Sequence, residues 1–154
     1  MTLETGRPAP DFALKSQHGE DITLASYRGR RAVVVMFYPF AFSSICTGEL
    51  AEVRDHLPEF DNDDVALLAV SCDPMFAVRA FADAEGFTFP LLSDFWPHGE
   101  VARRYGVFDA ERGCALRGTF VLDASGILRW KVENGFPDAR ELEAVKRALT
   151  QLSA

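Results

Sequence analysis

Cysteine is scarce in this sequence. Only Cys46, Cys72 and Cys114 occur in 154 residues, and no two of them stand as C-x-x-C. An odd count without paired spacing excludes both a secreted disulfide framework and a zinc site of the usual pattern. Free thiols remain. The three histidines, His18, His56 and His98, fall in a turn, a helix and a loop without ligand spacing, so no bound metal is expected and no chemistry is assigned to them. Basic residues are outnumbered, 16 Lys and Arg against 23 Asp and Glu, giving a net charge of -7 and a pI near 4.9. The clustered cations that nucleic-acid phosphates require are missing. Arg28, Arg30 and Arg31 alone stand together, and that triplet reads as a solvated turn. Long apolar runs are also missing. Residues 32–42, interrupted only by Pro39, fall well short of the roughly 18 residues a membrane span needs. The opening MTLETGRPAPDF has neither the basic nor the apolar region of a signal peptide, and a cytoplasmic location is expected.

What is present suits one globular domain over residues 1–154, with 48% hydrophobic and 25% charged residues and no repeat or low-complexity tract. DFALKS and DITLAS, separated by the turn-like QHGE, predict an N-terminal β-hairpin. RRAVVVMFYP and DVALLAVSC are apolar enough to be strands buried on both faces, and the helical SSICTGELAEVRDHLPEF between them, broken near Pro58, makes them a parallel pair. A helix is predicted over residues 75–85, ending at Gly86, then a short strand in FPLLSD and a short helix over 100–105. ALRGTFVLD and GILRWKVE flank Ala124-Ser125-Gly126 as a second hairpin, and residues 138–152 carry Leu142, Val145, Leu149 and Leu152 on one helical face. The sum is an α/β sandwich with a mixed central sheet flanked by helices, in which ligand chemistry collects at the carboxyl ends of the parallel strands.

Residues 39–50, PFAFSSICTGEL, follow one such end and place Cys46 in the first turn of a helix. Unpaired N–H groups and the positive end of the helix dipole there favour the thiolate, the reactive form. With Ser43 as N-cap, its hydroxyl is expected to accept from the Cys46 amide and to face the sulfur. Pro39, which has no N–H and a fixed φ, ends the strand and stiffens the loop. From the residues alone, Cys46 reads equally as a reactive thiol or as a small buried hydrophobe. On the same footing Arg117 is a surface ion-pair residue on a hairpin strand, and Glu49 a solvated first-turn acid.

P-F-A-F-S-S-I-C resembles the P-x-x-x-T/S-x-x-C motif of peroxiredoxins, with Pro39, Ser43 and Cys46 at the motif positions. APDF near the N-terminus, Glu49 three residues after the cysteine, and RGTFVLD with Arg117 extend the likeness over nearly the whole chain. FAFSSIC, HLPEF and FPLLSDFWPHG are most similar to the one-cysteine, alkyl hydroperoxide reductase E-type group of that family. The resemblance implies a thioredoxin-like fold with an N-terminal extension and reduction of hydrogen peroxide, organic hydroperoxides or peroxynitrite. It implies no metal or bound cofactor. Cys46 would be the peroxidatic nucleophile, Arg117 would hold the thiolate and polarise the peroxide, and Ser43 would hydrogen-bond both. Pro39 would shield the sulfur and Glu49 orient the arginine. Ser43 departs from the commoner threonine, keeping the hydroxyl but losing the methyl that restricts its rotamer.

An external thiol is the expected reductant, with Cys72 and Cys114 as structural thiols, because neither stands at a resolving position of the family; Cys72, which ends the strand neighbouring that of Cys46, is the exception to watch. The same resemblance implies a homodimer or higher homo-oligomer through surfaces next to the active-site loop; the sequence itself offers only aromatics, Phe40, Phe42, Phe95 and Trp96, that could serve there or simply pack. Two other functions remain open at this level. S-S-I-C looks like a C-x-x-C motif of a thiol-disulfide oxidoreductase whose first cysteine is serine, and a lone reactive thiol also suits a non-enzymatic redox sensor.

Overall fold

The computed structural model describes residues 3–135 and 138–152. Strands β1 (Ala13–Ser16) and β2 (Asp21–Thr23) form the first hairpin, with the chain turning into a short 3-10 helix at Leu24–Tyr27 where the second strand was expected to continue. Then come β3 (Ala32–Phe37), α1 (Ser44–Asp55), β4 (Val65–Ser71), α2 (Met75–Glu85), β5 (Leu91–Ser93) and α3 (Glu100–Arg104). Two-residue strands β6 (Phe108–Asp109) and β7 (Cys114–Ala115) pair with each other, and β8 (Arg117–Leu122), β9 (Leu128–Asn134) and α4 (Leu142–Leu152) complete the chain. A seven-stranded sheet runs β2-β1-β5-β4-β3-β8-β9, with β3 parallel to β4, β4 parallel to β5, and the other pairings antiparallel. This is the thioredoxin-like arrangement with the N-terminal hairpin added at one side.

Alternation along the central strands sorts the core into two layers. Val34, Met36, Leu67 and Ala69 face α1, α2 and α4 through Leu50, Val53, Phe81, Val145 and Leu149. Val33, Val35, Phe37, Leu68 and Val70 face α3 and the N-terminal segment through Val101, Ala102, Leu24 and Phe12. Because both faces are covered, β3 and most of β4 are buried throughout, which is why their sequences are continuous apolar runs. Phe81, with no exposed surface, meets the rings of Phe42 and Phe87, and truncating so deeply buried a ring to Ala costs about 3–5 kcal/mol.

Two features of this topology build the site. The turn after β3 delivers α1 at the carboxyl end of the parallel strands. Strand β8 runs antiparallel to β3 with Met36 opposite Thr119, so its first residue, Arg117, reaches that same end. The last helix begins at Leu142 rather than at 138. Residues 138–140 leave the helix path, and the Arg140 N–H donates to the Glu49 carboxylate.

Candidate active site

The buried residues of α1 are Cys46, Glu49, Leu50 and Val53, the i, i+3, i+4, i+7 stripe of one helix face. A thiol and a carboxylate therefore sit on the face that an amphipathic helix reserves for apolar groups. Arg117 comes to them from β8. Its Nη1 donates to Cys46 Sγ at 3.2 Å and to Glu49 Oε1 at 2.6 Å. Arg140 closes the cluster from the opposite side, donating to Glu49 Oε2 through its backbone N–H at 2.6 Å and its Nε at 3.1 Å. Its Nη1 donates to the Gly118 carbonyl at 3.2 Å and to Thr119 Oγ1 at 2.9 Å, and its Nη2 to the Phe37 carbonyl.

These four groups are shut away from water. Cys46 has no exposed surface, and Glu49, Arg117 and Arg140 are 5%, 2% and 6% exposed. Burial pushes the Arg140 pKa down from its ordinary value, and the Glu49 carboxylate pushes it back up. The surface reading of Arg117 and the solvated reading of Glu49 are thus both corrected, since each guanidinium and the carboxylate between them satisfy one another inside the fold. Among these four groups, two guanidinium cations share one carboxylate.

Ser43 is the N-cap of α1, with φ -70° and ψ 146°, yet its side chain caps no amide. The hydroxyl instead donates to the Phe40 carbonyl at 2.9 Å, closing the turn before the helix, while the Ser43 carbonyl accepts from Thr47 N–H at 2.9 Å and Thr47 Oγ1 at 2.8 Å. Pro39 is buried in the same loop. Cys72 lies in the core layer on the other side of the sheet from Cys46, and Cys114 is buried in β7. Burial pushes the Cys72 thiol up to about 12 and the Cys114 thiol up to about 11, with Asp94 adding at the first and Asp109 at the second. Both are held in the thiol form at neutral pH. A groove of about 430 Å³ bordered by Tyr105, Val107, Phe120 and Lys131 contains none of the residues around Cys46.

Arg140 is the member of the cluster that sequence reasoning missed. It stands where a helix was expected to begin, and its carboxylate partner is 91 positions away. Glu49 did leave a signal, because the 46-49-50-53 spacing puts it on the apolar stripe.

A thiol at a helix start, hydrogen-bonded by a buried arginine that a carboxylate fixes, at the carboxyl end of the parallel strands of a thioredoxin-like sheet, defines a class of thiol peroxidases. The chain belongs to the AhpC/TSA family, whose pattern matches residues 5–131, and is a peroxiredoxin, a thiol-dependent peroxidase. It is similar to alkyl hydroperoxide reductase E of Mycobacterium tuberculosis, 49% identical over 152 residues that cover 99% of both chains. A putative peroxiredoxin of Synechocystis is 32% identical over 157 residues, covering 96% of this chain and 77% of the relative. Among solved structures, Enterococcus faecalis AhpC superposes with a TM-score of 0.88 at 26% identity over 99% of this chain and 93% of its own. The peroxidoxin BcpB of Mycobacterium tuberculosis does so with a TM-score of 0.83 at 30% identity over 98% and 97%.

Proposed function

We propose that Cys46 is the peroxidatic nucleophile of a one-cysteine peroxidase that acts on hydrogen peroxide, organic hydroperoxides or peroxynitrite and is recycled by an external thiol. The observation that carries this reading is the Arg117 guanidinium donating to the Cys46 sulfur inside a cluster in which two guanidinium cations share one carboxylate. The thiolate attacks one peroxide oxygen. An S–O bond forms and the O–O bond breaks; the leaving alkoxide or hydroxide takes up a proton, or nitrite departs from peroxynitrite, so sulfur loses two electrons and becomes the sulfenic acid. A reductant thiol then attacks that sulfur and expels water, giving a mixed disulfide that a second thiol reduces.

Charge moves from sulfur to the leaving oxygen, so donors fixed along that path stabilise the transition state most. Arg117 supplies such donors. Glu49 fixes their direction, which matters because a cation that merely lowered the thiol pKa would also weaken its nucleophilicity. The Ser43 hydroxyl turns from the Phe40 carbonyl to the incoming peroxide, and buried Pro39 walls the sulfur from bulk water. Neither other thiol suits resolution. Cys46 and Cys72 pack in core layers on opposite faces of the sheet, and burial keeps both Cys72 and Cys114 protonated.

The chain acts as one domain over residues 1–154, in the cytoplasm, where free thiols persist; among the described residues no helix is long and apolar enough to cross a membrane. It assembles as a homodimer or higher homo-oligomer through the exposed aromatic rim of Phe40, Phe42, Phe95 and Trp96 beside the loop. The test is chemical. One equivalent of hydrogen peroxide should leave protein with one added oxygen on Cys46, trappable as sulfenic acid, and Cys46→Ser should abolish peroxide consumption with the fold intact. Turnover retained in Cys46→Ser, or loss of two hydrogens with a peptide joining Cys46 to Cys72 or Cys114, would refute the reading.

A further inference from the structure

Phe42, four residues before Cys46, is the one non-glycine residue among those described with a positive φ, 68°. A bulky L-residue keeps a left-handed backbone only where its surroundings impose it. Two contacts reach this loop from the segment after β4. Asp73 Oδ2 accepts from the Ala41 N–H at 2.8 Å, and the Phe81 ring of α2 meets the Phe42 ring with centroids 5.1 Å apart. Asp73 is itself held by two strand ends. Its N–H donates to Oγ of Ser71, the last residue of β4, at 3.4 Å, and its carbonyl accepts from the hydroxyl of Ser93, the last residue of β5, at 2.6 Å.

Three hydrogen bonds thus converge on Asp73, one from the loop ahead of α1 and two from strand ends of the sheet, so the carboxylate ties that loop to the sheet.

We propose that Asp73 is a positioning residue for the peroxidase reaction: clamped by the ends of β4 and β5, its carboxylate pins the Ala41 amide, holds Phe42 left-handed, and so sets the first turn of α1 with Cys46 against Arg117. This deepens the reading of Cys46 as the peroxidatic thiol and rests on it. Asp73→Asn keeps an oxygen acceptor and removes the charge, whereas Asp73→Leu keeps the volume and removes the acceptor. Oxidation of Asp73→Asn by hydrogen peroxide should stay within about threefold of the native rate constant, and Asp73→Leu should be about tenfold or more slower, the worth of one hydrogen bond to a charged acceptor.

Amide exchange reads the loop without reference to activity. The Ala41, Phe42 and Ser43 amides should exchange about tenfold faster in Asp73→Leu and at the native rate in Asp73→Asn. In a Phe42→Gly background the Asp73→Leu change should cost less than about threefold, since glycine adopts positive φ without being forced. Asp73→Ala replaces Asp73→Leu should the latter fail to fold. Equal slowing in the Asn and Leu variants, unchanged exchange in the Leu variant, or an undiminished cost in the Phe42→Gly background would each overturn the proposal. The assignment of Cys46 itself fails separately, through turnover in Cys46→Ser.

Discussion

Replacing Glu49 by Gln keeps shape and volume and removes one charge from the centre of the cluster. In the native protein Glu49 Oε1 is 2.6 Å from Arg117 Nη1, and Oε2 is 2.6 Å from the Arg140 N–H and 3.1 Å from its Nε. A glutamine offers a single acceptor oxygen. Its amide nitrogen must then face a donor, and Arg140, with two donors converging on one point, keeps the oxygen. Arg117 is left facing an N–H and swings away. Two buried cations are left without the carboxylate they shared, and breaking a buried pair in this way costs about 3–5 kcal/mol. At roughly 2–4 °C per kcal/mol for a chain of this size, the melting point should fall by about 6–20 °C. The chemical step should suffer as well. Complete loss of a preorganised donor costs about 10²–10³ in rate. Because the guanidinium stays in the cavity, a fall of about 10- to 100-fold in the second-order rate constant with hydrogen peroxide is expected. Stopped-flow oxidation and calorimetry on the same protein measure both. A melting point within about 3 °C of native would refute the buried-pair argument, and a rate within twofold would strip Glu49 of its orienting role.

Arg117→Ala should slow oxidation more than Ser43→Ala, because it removes a full charge and more than one donor; the reverse order in stopped flow would contradict the role given to Arg117. Iodoacetamide at pH 7 should leave Cys72 and Cys114 unlabelled in native protein, and labelling of either in mass spectra of the folded chain would show them less protected than their burial implies. Burial raises those two thiols to about 12 and about 11, so their contribution to stability is full below the ordinary thiol value of about 8.5 and is lost as pH rises from there through the folded values. Urea midpoints should therefore decline from pH 8 to 10, and less steeply in Cys72→Ala; parallel curves would count against this. Sedimentation at micromolar concentration should give a dimer or larger species, whereas a monomer would remove the aromatic rim as an interface.

Much of the fold is legible because burial on both faces writes strands β3 and β4 as uninterrupted apolar runs, and because Gly86, with φ 71°, ends α2 where the sequence places a stop. Strands β6 and β7 were not legible, since two residues carry no periodicity. In the site the hard cases are polar side chains whose partners lie far along the chain. Arg117 and Glu49, read one at a time, are surface residues, and only the convergence of α1, β8 and residue 140 gives each a reason to be buried. Arg140 lies in a stretch whose helical stripe continues downstream, and its withdrawal from the helix is a tertiary event. Ser43 shows the limit in miniature. One hydroxyl had two acceptable partners in reach, and the turn carbonyl of Phe40 won over the helix amide.

The cluster is assembled from residues far apart along the chain: Arg117 meets Glu49 and Cys46 from 68 and 71 positions away, and Arg140 meets Glu49 from 91. Contacts of such separation meet the entropy of loop closure before they return anything for it, so these side chains come together only when β8 and the segment at 138–140 have docked on α1. The Arg140 guanidinium, which gathers carbonyls from both β3 and β8, makes the order around the sulfur a property of the whole chain rather than of the loop that carries it.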